Sequence, residues 1–201
     1  MQSVLRIILV MLASSALPVS AAPASATSMG PDDAQHLLGR AGFGARPADL
    51  AGFARLSREA AIEQLLTEVR AEPATPAPVE LSDYLPPSRL RALSDAERKE
   101  TQVRSAQALR AWWLAAMLGA ATPAEQLRER MTLFWHNHFV SSLQKVKSAK
   151  LMLDQNRLLR HHALGHFGEL LHAVGKDPAM VVYLDSATNR KGNPNENFAR
   201  E

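Results

Sequence analysis

Residues 121–140 read ATPAEQLRERMTLFWHNHFV, and this stretch decides the fold class. Thr122 is an N-cap residue, Pro123 suits the first helical position, and Glu125 stands where a capping box needs its acid. Leu127, Met131, Phe134, Trp135 and His138 then follow at spacings of four, three, one and three, which is the period of one helix face. The stretch therefore predicts a helix with an oily stripe, and helices of the same kind extend from it in both directions.

Upstream, Ser94 and Glu97 form a second capping box, and the helix they open runs to about Leu118. Its apolar positions Val103, Ala106, Leu109, Trp113 and Met117 predict the buried stripe, with Trp112 beside it and partly exposed. Gly119 suits its end, and two long helices joined so tightly are expected to pack antiparallel. Before them, residues 72–87 carry Pro73, Pro76, Pro78, Pro86 and Pro87, which excludes a regular helix or a central strand and predicts an exposed strap. Three shorter helices precede the strap, starting near Pro31, at Pro47 and after Ser57; the third buries Ala61, Leu65, Leu66 and Val69. LLGRAGFGARP (37–47) between the first two reads as a tight corner that packs Phe43, since it lacks the lysine and the preceding strand of a phosphate loop.

Downstream, a polar connection with Lys145 and Lys147 leads to a helix from about Ser148 to Ala163, with Leu151, Leu158 and Leu159 inward. A short helix with Leu170, Leu171 and Val174 ends at Gly175. Asp177 caps the next, Pro178 opens it, and Met180, Val181 and Leu184 supply its core face. Ser186 to Asn197 is a long polar loop, and Asn195 caps one more turn. No run alternates long enough for a strand. The expected fold is all-α, a multi-helix orthogonal or bundle-like array with a proline-rich strap and no sheet, in one domain over residues 27–201.

Met1 to Ala26 has the pattern of a secretory signal: Arg6, an apolar run from Ile7 to Ala13, Pro18, and small residues Val19-Ser20-Ala21 before Ala22. The run is too short for a stable bilayer anchor, so the expected location is exported, periplasmic or secreted, with no transmembrane span in the mature chain. No cysteine is present, which excludes disulfides, thiolate chemistry and sulfur-built zinc sites. The formal charge is only +3, and the basic excess lies in residues 101–201, which hold 13 Lys and Arg against 8 Asp and Glu. That is too little to argue for nucleic acid.

FWHNHF (134–139), DPAM (177–180) and YLDSATNRKGNPNENFARE (183–201), with LLGRAGFGARP near the start, resemble the uncharacterised bacterial family called domain of unknown function 1800, DUF1800. The resemblance implies an exported protein, with this chain as the amino-terminal part of a longer family domain. It implies no activity. In RHHALGHF (160–167) the position of His166 more often holds asparagine in that family, which argues against His166 as a ligand.

Three groups of residues are candidates for function. His136 and His138 are the first: imidazole is a common ligand for divalent metals, but two helical residues two apart point about 200° away from each other, so they share an ion only if the helix ends near Asn137. His161, His162, His166 and His172, with Glu169, are the second; His162 and His166 have the spacing that grips an ion from one helix face. The third is the loop, where Asp185, Asn189, Asn193 and Glu196 occupy positions 1, 5, 9 and 12 of a calcium loop, while Ala187 and Arg190 stand where such a loop needs an oxygen ligand and a glycine. The better reading of the loop is a structured polar surface. Asp185 pairs there with Arg190 or Lys191, and the amides of Asn189, Asn193, Asn195 and Asn197 satisfy backbone groups.

Two functions follow as expectations. The first is a cell-envelope binding or assembly module that uses residues 186–197, with Asp185, Asn189, Arg190, Asn195 and Glu196 as the ligand-binding set and an envelope glycan or an exported protein as partner. The alternative is a metal-dependent hydrolase using His136 and His138 with Asp185 or Glu196, and a divalent metal as cofactor. No Gly-x-Ser-x-Gly elbow supports serine chemistry.

Overall fold

A computed structural model describes residues 27–67, 71–81, 87–192 and 194–200. The expected leader at 1–26 and the expected roles of Val69 and Asn193 lie outside the described residues. The helices are α1 (Gly30–Ala41), α2 (Pro47–Phe53), α3 (Arg58–Leu65), α4 (Pro87–Ala92), α5 (Asp95–Leu118), α6 (Pro123–His138), α7 (Leu143–Val146), α8 (Ala149–His161), α9 (Phe167–Val174), α10 (Pro178–Tyr183) and α11 (Asn197–Arg200). Short 3-10 turns at Val79–Leu81 and Ser186–Thr188 complete the set. The fold is all-α, with no strand or sheet among the described residues. No helix among them is long and apolar enough to cross a membrane.

The helix starts are those the side chains dictate. Thr122 and Ser94 close full capping boxes with Glu125 and Glu97, and each box satisfies donors that the first helical turn otherwise leaves bare. Ser57, Ser148 and Asp177 cap α3, α8 and α10 with their side-chain oxygens. Asp177 is buried. Its Oδ2 accepts the Met180 N–H at 2.9 Å and the Gln155 Nε2–H at 2.8 Å, and burial raises its pKa against the opposing pull of those bonds.

Two helices carry the assembly. α6 packs against α1, α3, α5 and α8, and α8 against α5, α6, α7, α9 and α10. One core layer joins α1, α2 and α3 through Ala34, Leu38, Phe53, Ala61 and Leu65, with Leu127 of α6 against it. A second gathers Leu109 and Trp112 of α5, Met152 and Leu153 of α8, and Leu81 of the strap. A third holds Leu159, Leu170, Val174, Met180 and Leu184, with Trp135 and Phe139 packed on it.

The structure rotates several expected faces. On α5 the buried residues are Leu109, Trp112 and Ala116, whereas Trp113 is half-buried and Val103 is 49% exposed. The strap is the cause. It lies over Trp112, whose indole N–H donates to the Thr75 carbonyl at 3.0 Å, and it buries Leu81. On α6 the fully buried side chains are Ala124, Glu129 and Thr132, while Phe134 and His138 are exposed and Leu127, Met131 and Trp135 are half-buried. A charge pair described below turns this polar face inward. On α8, Leu151 and Leu158 are half-buried, and Met152, Leu153 and Leu159 are the inward residues. At the α1–α2 corner Phe43 is exposed, with the Arg130 guanidinium 6.0 Å from its ring centre. The residue packed there is Gly42, where a Cβ would run into the Gln126 side chain.

Candidate functional site

The loop after α10 is braced from within. Asp185 begins it with φ 56°, in the left-handed region that few residues except glycine, asparagine and aspartate adopt readily. Its carboxylate does not pair with Arg190 or Lys191 as expected; Lys145 Nζ of α7 reaches Asp185 Oδ2 at 2.6 Å. The reason is proximity: α7 packs on α10, and Lys145 also lies 5.5 Å from the Tyr183 ring centre. The Asp185 carbonyl accepts the Thr188 hydroxyl at 2.7 Å, closing the 3-10 turn. Asn189 Oδ1 accepts the backbone N–H of Asn195. Asn195 in turn donates through Nδ2 to the Leu184 carbonyl at 3.0 Å and accepts the Asn197 N–H at 2.9 Å. The amides of Asn189 and Asn195 thus satisfy backbone groups as expected, whereas Asn197 Oδ1 accepts from Arg200 NH2 at 2.9 Å. Thr188, Asn189, Arg190, Lys191 and Glu196 stand in solvent.

His136 and His138 both lie inside α6, so the helix separates them. The His136 ring meets Trp113 of α5 edge-on at 5.0 Å. His138 faces the other way, 4.8 Å from Phe139 and 5.7 Å from Trp135. Among the described residues no three histidines, aspartates or glutamates come together in a way that holds a metal ion. His161 and His162 touch each other edge-on at 4.9 Å. His166 is the N-cap of α9, and its Nδ1 accepts the Gly168 N–H at 3.2 Å. Asparagine is among the preferred N-cap residues, so it would serve the same role at this position.

Burial lowers the His136 pKa from its ordinary 6.5. Unfolded chains take up this proton near 6.5 and the folded chain resists it, so stability is retained above pH 6.5 and falls as pH drops through that value. Urea melts at stepped pH between 7.5 and 5 check this: the decline should flatten in His136→Gln.

The polar centre of the molecule was not visible in advance. Arg160 of α8 is 1% exposed and Glu129 of α6 4% exposed, and the guanidinium NH1 donates to the Glu129 carboxylate. Arg160 NH2 reaches Asn156 Oδ1 at 3.2 Å, its carbonyl accepts from Arg128 NH1 at 3.0 Å, and its guanidinium carbon lies 5.8 Å from the Trp112 ring centre. Burial lowers its pKa to about 10, so it remains a cation at neutral pH. A cavity of about 30 Å³ beside this pair is lined by Glu72 and Thr75 of the strap, Glu125, Arg128, Glu129 and Arg160. One signal was available: Met152, Leu153, Asn156, Leu159 and Arg160 fall at helix-face spacing, which puts two polar residues on the apolar side of α8.

With this geometry in place, the profile of the family described as protein of unknown function (DUF1800) matches residues 36–201. The chain belongs to the DUF1800 family. No curated protein and no solved structure matches it. The matched span takes in the second half of α1, both long helices and the braced loop.

Proposed function

We propose that this DUF1800 chain is an exported binding module of the cell envelope that reads a polar or anionic ligand, such as a glycan, through residues 186–197. The observation that supports this reading is the bracing of the loop. Its internal hydrogen bonds and the Lys145–Asp185 pair leave Arg190 and Lys191 exposed on a backbone that is already ordered. Preordering matters because a loop that must freeze on binding loses affinity to entropy. A guanidinium carried on a braced backbone suits carboxylate or phosphate oxygens, which it meets with two parallel hydrogen bonds.

The test is a titration with a soluble anionic polysaccharide, polygalacturonate, against the unmodified chain and Arg190→Ala. Saturable binding should weaken by about tenfold on loss of one such bidentate contact, with an unchanged melting curve because the side chain is exposed. Binding that survives the substitution would show that the loop is not the reader.

A further inference from the structure

A second surface lies along α5 and α7. α5 and the α7–α8 corner bound an open groove of about 780 Å³, within the range of ligand sites in general. Its floor is apolar and includes Leu81, Val103, Ala106, Val146, Leu151 and Val182. Val103, placed by its spacing among residues expected in the core, is 49% exposed here. The α5 residues that line the groove run from Arg98 to Arg110, a length of about 18 Å at 1.5 Å per residue.

Cations stand at both ends of the α5 wall and on the wall opposite. Arg98 and Lys99 stand at one end of the α5 wall, Arg110 at the other, and Lys147 and Lys150 on the opposite wall, against a single acidic lining residue, Glu80. Arg98 pairs with Asp95 and Lys150 with Asp154. Among the described residues Lys99, Arg110 and Lys147 form no ion pair.

We propose that this groove docks an acidic amphipathic helix of a partner protein. An apolar floor flanked by charge receives a helix that lays its oily face down and keeps its charged flanks up. The spread of the cations decides between ligands of like charge. A single-headed amphiphile carries its anion at one end and leaves the other lysines and arginines unanswered. A helix with carboxylates along both flanks meets all of them, and about 18 Å corresponds to about three helical turns. The cations also steer an acidic partner toward the groove, so association should weaken as salt rises.

The probe is a fluorescein-labelled helical peptide with one leucine face and glutamates on both flanks, followed by fluorescence anisotropy with the full chain. Expected is saturable binding that salt weakens, that a peptide with lysine in place of every glutamate does not show, and that drops by about tenfold or more in Val103→Asp and in Lys99→Glu with Arg110→Glu. All these positions face solvent, and circular dichroism melts of each variant establish that the fold is kept. Arg190→Ala should leave peptide binding intact, which separates this site from the loop. Equal binding of wild type and variants overturns the proposal. So does failure of the peptide alongside binding to phosphatidylglycerol vesicles that Val103→Asp abolishes, which assigns the groove to lipid. Failure of the peptide alongside self-association that Val103→Asp abolishes also overturns it, and assigns the groove to a second copy.

Discussion

Glu129→Ala should destabilise the fold by about 3–5 kcal/mol, because it leaves the Arg160 guanidinium buried without its counter-ion. The environment compensates only in part. Arg160 is 1% exposed, and beyond Glu129 it meets a neutral amide on Asn156, the face of Trp112 and the field of Glu72, a strap carboxylate that stands in solvent and pairs with Arg157. Its pKa, lowered to about 10, keeps it charged at neutral pH, so it cannot shed the penalty by losing a proton. Domains of this size have only about 5–15 kcal/mol to lose, so the variant should melt far earlier or fail to accumulate. Replacing both partners with methionine should cost much less than the two single changes together, since no buried charge then remains. Chemical denaturation of the four proteins measures the coupling. A control sits on the surface: Arg104 and Glu100 of α5 pair in solvent, and Glu100→Ala should leave the midpoint nearly unmoved. If Glu129→Ala behaves like that control, the charge pair is not what turns the polar face of α6 inward.

Trp112→Ala should cost about 3–5 kcal/mol, the range for removing a large buried aromatic ring. The indole has three roles at one point. It fills the core between α5 and α8, its N–H holds the strap at Thr75, and its face lies beside Arg160. Trp112→Phe separates them, since it keeps most of the packing and removes the hydrogen bond, and should cost about 1–2 kcal/mol. The two variants should also differ from wild type in how the strap resists protease. Cleavage within residues 72–81 should speed up in both, and in the phenylalanine variant it should do so at temperatures where the rest of the fold is intact. Unchanged cleavage would mean that Leu81 alone holds the strap.

These two sites show where local reading succeeded and where it failed. Caps were legible because a cap is a contact between residues three apart: Thr122 with Glu125, Ser94 with Glu97, Asp177 with Met180. The asparagine bracing of the loop was legible for the same reason, since Asn189, Asn195 and Asn197 bond within a few residues of one another. The pairing of Asp185 with Lys145 was not, because it joins residues 40 apart in the chain. Helix periodicity placed α5 and α6 but missed which face goes inward. On α5 that choice was made by a strap 37 residues upstream, and on α6 by an arginine 31 residues downstream.

From the residue order alone came the all-α class, the capped starts of α3, α5, α6, α8 and α10, the absence of cysteine chemistry and the family motifs, because each rests on composition or on neighbours a turn or two apart. Only the folded chain decided that Trp112 and not Trp113 is the buried ring, that Glu129 and Arg160 meet at the centre, and that Val103 lines an open cationic groove. Those outcomes depend on which helix lies against which, and spacing along one helix carries no information about what arrives from the other end of the chain.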